Sequence, residues 1–112
     1  GMYDEGVKET ALRLLPVLDN LDRAIASGEA ADGEDSLLTG VKMISKQLKE
    51  TLACLEVVEI KALGESFNPS YHEAVAHEQN ENYGENEIIL EMLKGYMFKD
   101  KVLRPSMVKV AN

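Results

Sequence analysis

The side chains best suited to chemistry are few: two histidines, one cysteine and a scatter of carboxylates in a chain of 112 residues. His72 and His77 lie five apart. That is neither the two-residue step of a strand face nor the four-residue helical step that brings two imidazoles to one metal, so no metal site is implied. Cys54 has no internal disulfide partner, and its neighbours Leu52, Ala53 and Leu55 point to a small buried hydrophobe rather than a nucleophile paired with histidine. The carboxylates are spread along the chain and no acid–base pair stands out. Gly64, Gly84 and Gly95 are isolated, and no Gly-Lys-Ser/Thr follows them, so there is no phosphate-cradling loop. One enzymatic reading survives, an acid–base site built on His72 and nearby carboxylates, and it requires a pocket gathered around His72. The expectation is a protein that is not an enzyme and needs no cofactor.

The elements that must carry any site fall into two halves, 1–56 and 57–112. In the first half Val7, Ala11, Leu14, Leu18, Leu21 and Ile25 recur at alternating steps of four and three, the stripe of a helix packed on another helix. Pro16 interrupts it and predicts a kink or a fresh helix start there. Ser27-Gly28 and the polar run Glu29 to Asp35 predict the end of this helix. Leu37, Val41, Ile44, Leu48, Leu52 and Leu55 form a second stripe, with Asp35 or Ser36 as its N-cap. Two amphipathic helices joined by a short loop make an antiparallel hairpin with a thin core. Two such hairpins close a four-helix bundle, so a homodimer is expected, with Leu14, Leu18, Leu21, Ile25, Leu37, Val41, Ile44, Leu48, Leu52 and Leu55 at its interface.

The second half changes period. Val57-Val58-Glu59-Ile60, Glu87 to Leu93, Tyr96-Met97-Phe98, Val102-Leu103 and Met107 to Val110 are short and rich in strand formers, with Pro105 suiting an edge or a bulge. Helices followed by strands without alternation give an α+β chain: a helical hairpin, then a small, mostly antiparallel β-domain. Gly40 stands apart. It sits inside the second helix at a cost of roughly 1 kcal/mol against alanine, which suggests close approach either by a helix of the same bundle or by a partner.

The net charge of −8 argues against nucleic acid and against an anionic membrane surface, and towards a protein partner. The charge is also sorted. Six acids and no base lie between Glu73 and Glu91, whereas five bases and only Asp100 lie between Lys94 and Lys109. Solvated loops explain this, and so does a polar docking surface. No apolar run reaches the ~18 residues of a membrane span, no signal pattern appears, and a cytoplasmic address follows by default. Gly1 before Met2 reads as the remnant of a cleaved tag. A helical pattern starts at once after it, which implies more helix upstream.

Two blocks of the second half carry a resemblance. Phe67-Asn68-Pro69-Ser70-Tyr71-His72-Glu73-Ala74-Val75, and Gly95-Tyr96-Met97-Phe98-Lys99-Asp100-Lys101-Val102-Leu103-Arg104-Pro105-Ser106-Met107-Val108-Lys109-Val110, resemble the signature of the GrpE family. Leu14 to Ala24 resembles the family's entry into its bundle. The resemblance implies a long paired helix leading into a dimeric four-helix bundle, with a small β-domain ending each protomer. It implies a nucleotide exchange factor: one β-domain docks on the ATPase domain of a DnaK-type chaperone and opens its cleft, so that ADP leaves. Gly40 would face the chaperone, and Asn68, Pro69, Lys99, Lys101, Arg104, Pro105, Met107, Val108 and Val110 would belong to the contact. Pro105-Ser106 and Lys101 depart from the small residues and the arginine common in the family. The alternative is a structural dimerisation module without exchange activity, which would leave the two blocks unexplained.

Overall fold

A computed structural model describes residues 1–32 and 36–112, with the side chain of Asp32 outside the description. The chain divides into two compact units, Gly1–Val57 and Val58–Asn112. The first contains helices α1 (Met2–Asp32) and α2 (Ser36–Cys54), and the strands that follow are β1 (Val57–Glu59), β2 (His72–Glu78), β3 (Ile88–Leu93), β4 (Tyr96–Phe98), β5 (Lys101–Arg104) and β6 (Ser106–Ala111). The α+β reading, a helical hairpin before small sheets, is what the structure contains.

In the hairpin, Ala11, Leu15 and Leu18 of α1 are buried, as are Leu38, Ser45 and Leu52 of α2. The inner face of α2 therefore steps by seven, one position away from most of the expected stripe. Leu37 and Ile44 are 76% and 55% exposed, Leu55 is 43% exposed, and only Leu52 of that stripe is fully inside. Val7, Leu14, Leu21, Ile25, Val41 and Leu48 are half-buried. Leu15, which the stripe omitted, is among the most buried side chains in the chain. The register of the two helices is set by polar contacts as well. Asp22 Oδ1 accepts from Ser45 Oγ at 3.4 Å and from Lys49 Nζ at 3.2 Å. Burying Ser45 without a partner would cost about 1–3 kcal/mol, so the contact disfavours slipped pairings.

One expectation for the helices is corrected and two are narrowed. Of the kink or fresh start expected at Pro16, the fresh start does not occur: α1 runs through the proline. Proline removes the N–H that the Leu12 carbonyl would accept, but Leu12 and Pro16 are both exposed, so water can serve that carbonyl. α1 passes Gly28 and continues to Asp32, inside the polar run expected to end it. A Cβ on Gly28 would lie 2.8 Å from Leu38 Cδ1, so this glycine makes room for a leucine of α2. Cys54 is exposed rather than buried. At 100° per residue it lies about 200° round the helix from the inward Leu52. Asp35, one of the two candidate caps, lies outside the described residues.

The strands form two three-stranded sheets, ordered β1-β4-β5 and β2-β6-β3. β4 pairs antiparallel with β5 and β3 antiparallel with β6, whereas β2 pairs parallel with β6. β2, His-Glu-Ala-Val-Ala-His-Glu, was not expected as a strand. It has a single β-branched residue, two alanines and four charged or imidazole side chains, so its propensity is weak and pairing with β6 decides it. Pro105 precedes a central strand, not an edge. It sits between β5 and β6 and spares the ladder of both. Ala62, Ile88, Val108 and Val110 form a core with Phe67 packed against it. At the far end Asn112 closes the β2–β3 connection: its Nδ2 donates to the carbonyls of Asn80 and Tyr83, both at 2.9 Å, and its Oδ1 accepts from Asn80 N–H at 2.9 Å.

Candidate partner-binding surfaces

The tightest turn in the β unit joins β4 to β5 through Lys99 and Asp100. Phe98 pairs with Lys101, and Lys99 takes the left-handed conformation at φ 54°. A lysine there is strained by roughly 1 kcal/mol. Its ammonium lies 5.3 Å from the centroid of the Phe98 ring, a cation–π contact that offsets part of this cost. Lys99 and Lys101 thus stand exposed at the hairpin tip on a buried aromatic root. At the hairpin's base Arg104 is braced: its Nε donates to the Lys94 carbonyl at 2.8 Å and its guanidinium lies 5.6 Å from the Tyr96 ring.

Charge is less segregated in space than along the sequence. Lys94 is paired with Glu59 at 3.6 Å and with Glu91 at 3.8 Å, and Lys109 with Glu78 at 2.7 Å. Lys94, just after β3, is thus tied to β3 itself and to β1, and β6 is tied to β2. The Lys109 hydrogen bond, an Asn80 amide hydrogen bond and the Lys109 charge hold the Glu78 carboxyl below its ordinary value of 4.5. A depressed carboxylate pKa stabilises the fold above the ordinary value, and the contribution is lost as pH falls through the lowered one. Glu78→Gln should therefore melt with a shallower loss on acidification below about pH 4.5 than the parent. Superimposable acid profiles from calorimetry would mean that the pair contributes nothing.

The other predicted contact residues divide. Val108 and Val110 are corrected: they are 0% and 7% exposed and their side chains fill the core. Strand alternation leaves Met107 and Lys109 as the half-buried neighbours on the opposite face. Pro105 is half-buried. Asn68 and Pro69 build a turn in which Asn68 Oδ1 accepts from Ser70 N–H at 2.9 Å and the Asn68 carbonyl accepts from His72 N–H at 2.9 Å. This turn holds the His72 ring, whose Nδ1 accepts from Asn68 N–H at 3.0 Å and whose Nε2 lies 2.8 Å from the Lys61 carbonyl. Both ring nitrogens are engaged by backbone, the Nε2–H tautomer is dictated, and the acid–base reading of His72 loses its proton acceptor. Among the described residues there is no group of three metal-ligating side chains.

Gly40 lies on α2 with nothing within 4 Å of where a Cβ would be. Close approach by the chain's own helices therefore does not explain it. It borders a shallow groove with Met43, Ile44, Gln47 and Glu50. Met43, Gln47 and Glu50 were not singled out from the sequence, although their three- and four-residue steps from Gly40 were there to find. A second, apolar groove of about 360 Å³ runs between the start of α1 and the end of α2, lined among others by Tyr3, Val7, Leu14, Leu52 and Leu55.

An apolar helical face, a glycine open to approach and a basic hairpin tip are the equipment of a protein-binding module. The GrpE family model matches residues 1–112, and the chain belongs to the GrpE family. It is 41% identical over 111 residues to Protein GrpE of Lachnoclostridium phytofermentans, covering 99% of this chain and 50% of that protein. The Clostridium acetobutylicum relative, also Protein GrpE, is 44% identical over 112 residues, covering 100% and 54%. That of Bacillus subtilis is 46% identical over 97 residues, covering 87% and 52%. The chain spans about half the length of these curated relatives.

Proposed function

We propose that this chain is the bundle and β-domain portion of a nucleotide exchange factor: a cytoplasmic cochaperone that binds the ATPase domain of a DnaK-type chaperone, opens its cleft and promotes ADP release. The family match along the whole chain carries this reading. In it, residues 1–56 dimerise and present Gly40 to the chaperone, and residues 57–112 carry the rest of the contact. No covalent step is needed. A protein that binds the open, nucleotide-free chaperone more tightly than the closed one must weaken nucleotide affinity by the same factor. The charge of −8 and the absence, among the described residues, of any helix apolar enough to cross a membrane are in keeping with a protein partner. Stopped-flow release of a fluorescent ADP analogue tests the proposal directly. Release from the chaperone that stays at its basal rate at saturating protein would leave only the dimerisation module.

Two substitutions probe the contact. Lys101→Glu at the hairpin tip should slow association with the chaperone several-fold at low salt, and by less at physiological salt, because screening leaves less steering to lose. The β unit should stay folded, since an exposed charge is rarely worth more than about 1 kcal/mol. Parent-like kinetics for Lys101→Glu together with a large defect in Glu81→Lys would put the contact on the acidic loop instead. Gly40→Leu should keep or raise the melting temperature, by up to roughly 1 kcal/mol of stability, because leucine is the better helix former and the space is open. Exchange activity should fall. A dimer that dissociates in this variant would instead place Gly40 against the second copy.

A further inference from the structure

The chain passes between the two sheets three times: from β1 to β2, from β3 to β4 and from β5 to β6. All three crossings are tied at one place. Ile60, just after β1, donates its N–H to the Gly95 carbonyl at 2.9 Å, and Gly95 sits between β3 and β4. Gly95 N–H donates to Ser106 Oγ at 3.0 Å, and Ser106 opens β6. Ser106 N–H donates to the Tyr71 carbonyl at 3.1 Å, and the next residue, His72, donates Nε2–H to the carbonyl of Lys61, next to Ile60. The hydrogen bonds thus form a closed circuit through four chain segments. Its centre is buried: Ser106 is 0% exposed, His72 is 6% exposed and Gly95 is buried, whereas Lys61 and Tyr71, which lend only backbone carbonyls, are exposed residues. It has no slack either, since a Cβ on Gly95 would lie 2.4 Å from Ser106 N.

Both roots of the β4–β5 hairpin, Gly95 and Pro105, lie at or beside this circuit. A hairpin anchored at both ends to one rigid point takes its direction from that point. We infer that His72, Gly95 and Ser106 act together as positioning residues: they fix the angle at which the Lys99–Lys101 tip is held against the β2-β6-β3 sheet, and so how well the β unit fits its partner. This rests on the exchange-factor reading for its functional half. It also gives the Phe67-to-Val75 block a role without chaperone contact. Asn68 holds the His72 ring, and the ring holds the crossing.

The test uses the whole chain and three variants. His72→Leu removes both ring contacts. His72→Gln keeps one donor and one acceptor on a side chain of similar reach. Ser106→Ala removes a single oxygen. At a temperature where circular dichroism finds each variant fully folded, residual dipolar couplings of the Tyr96–Arg104 amides should report a hairpin reoriented against β2, β3 and β6 in His72→Leu and Ser106→Ala, and parent-like in His72→Gln. With the chaperone, the concentration for half-maximal ADP release should rise about tenfold in the first two and stay near the parent in the third, as loosening a preorganised site predicts. Fully folded Leu and Ala variants with parent couplings and parent half-maximal concentrations would overturn the inference. So would failure of both to fold, because the circuit would then merely hold the fold together. If the parent itself releases no ADP, the exchange-factor reading falls, and the couplings alone still decide whether the circuit sets the hairpin.

Discussion

Ile44→Asp should turn a dimer into well-folded monomers. Ile44 is 55% exposed in the single chain, so a charge there costs the hairpin little. If a second copy covers the Ile44 side of the groove and leaves Gly40 open to the chaperone, the side chain's remaining exposed half is what the dimer buries, and each chain loses about 0.8–1.6 kcal/mol of apolar burial. Two copies double the loss to about 1.6–3.3 kcal/mol, or roughly one to two decades in the dimer dissociation constant, before the penalty for burying an unpaired carboxylate is added. Light scattering and sedimentation across a concentration series would read this. Leu52→Asp is the contrasting variant. Leu52 is 2% exposed within the hairpin, so it should unfold the helices whether or not a dimer forms. A parent that sediments as a folded monomer at every concentration would refute the dimer, and a dimer indifferent to Ile44→Asp would place the interface on the other groove.

Gly95→Ala should be the most damaging methyl addition among the described glycines. The added carbon would meet Ser106 N at 2.4 Å and the Pro105 carbonyl carbon at 2.7 Å, both backbone atoms that cannot rotate away. The cost should reach the upper end of overpacking, roughly 3 kcal/mol. The same methyl at Gly28 would meet only the tip of the Leu38 side chain, and at Gly40 nothing. Melting temperatures should therefore fall steeply for Gly95→Ala, move little for Gly28→Ala and rise for Gly40→Ala. A Gly95→Ala protein as stable as the parent would mean that the crossing is looser than its distances say.

The helices and five of the six strands were legible because their apolar residues carry the period of their element. Two things were not legible, for separable reasons. Strand β2 has too few strand formers to announce itself, and its partner lies some thirty residues further on, outside any local window. Which side of α2 faces α1 was also hidden. Leu37 and Leu38 are adjacent leucines, Ile44 and Ser45 adjacent residues, and the inner place at the second step is taken by the serine because Asp22 is there to meet it. A hydrophobic count chooses Ile44, and a hydrogen bond chooses Ser45. Among the contact residues, Lys99 and Lys101 could be read as turn residues, but the buried roles of Val108 and Val110 depended on β6 being a central strand. The His72, Gly95 and Ser106 circuit joins parts of the chain that no periodicity links.

The position of β6 has a bearing on how this molecule is made. Both neighbours in its sheet, β2 and β3, come earlier in the chain and do not pair with one another. During synthesis they must wait for it, and until β6 pairs, Ile88, which packs against Val108 and Val110, stays uncovered. The helical hairpin needs no such delay, since its contacts close across a short connection. The two units thus acquire their structure on different clocks, helices first, and the interval between them is when the β unit is most open to proteases and to pairing with the wrong strand.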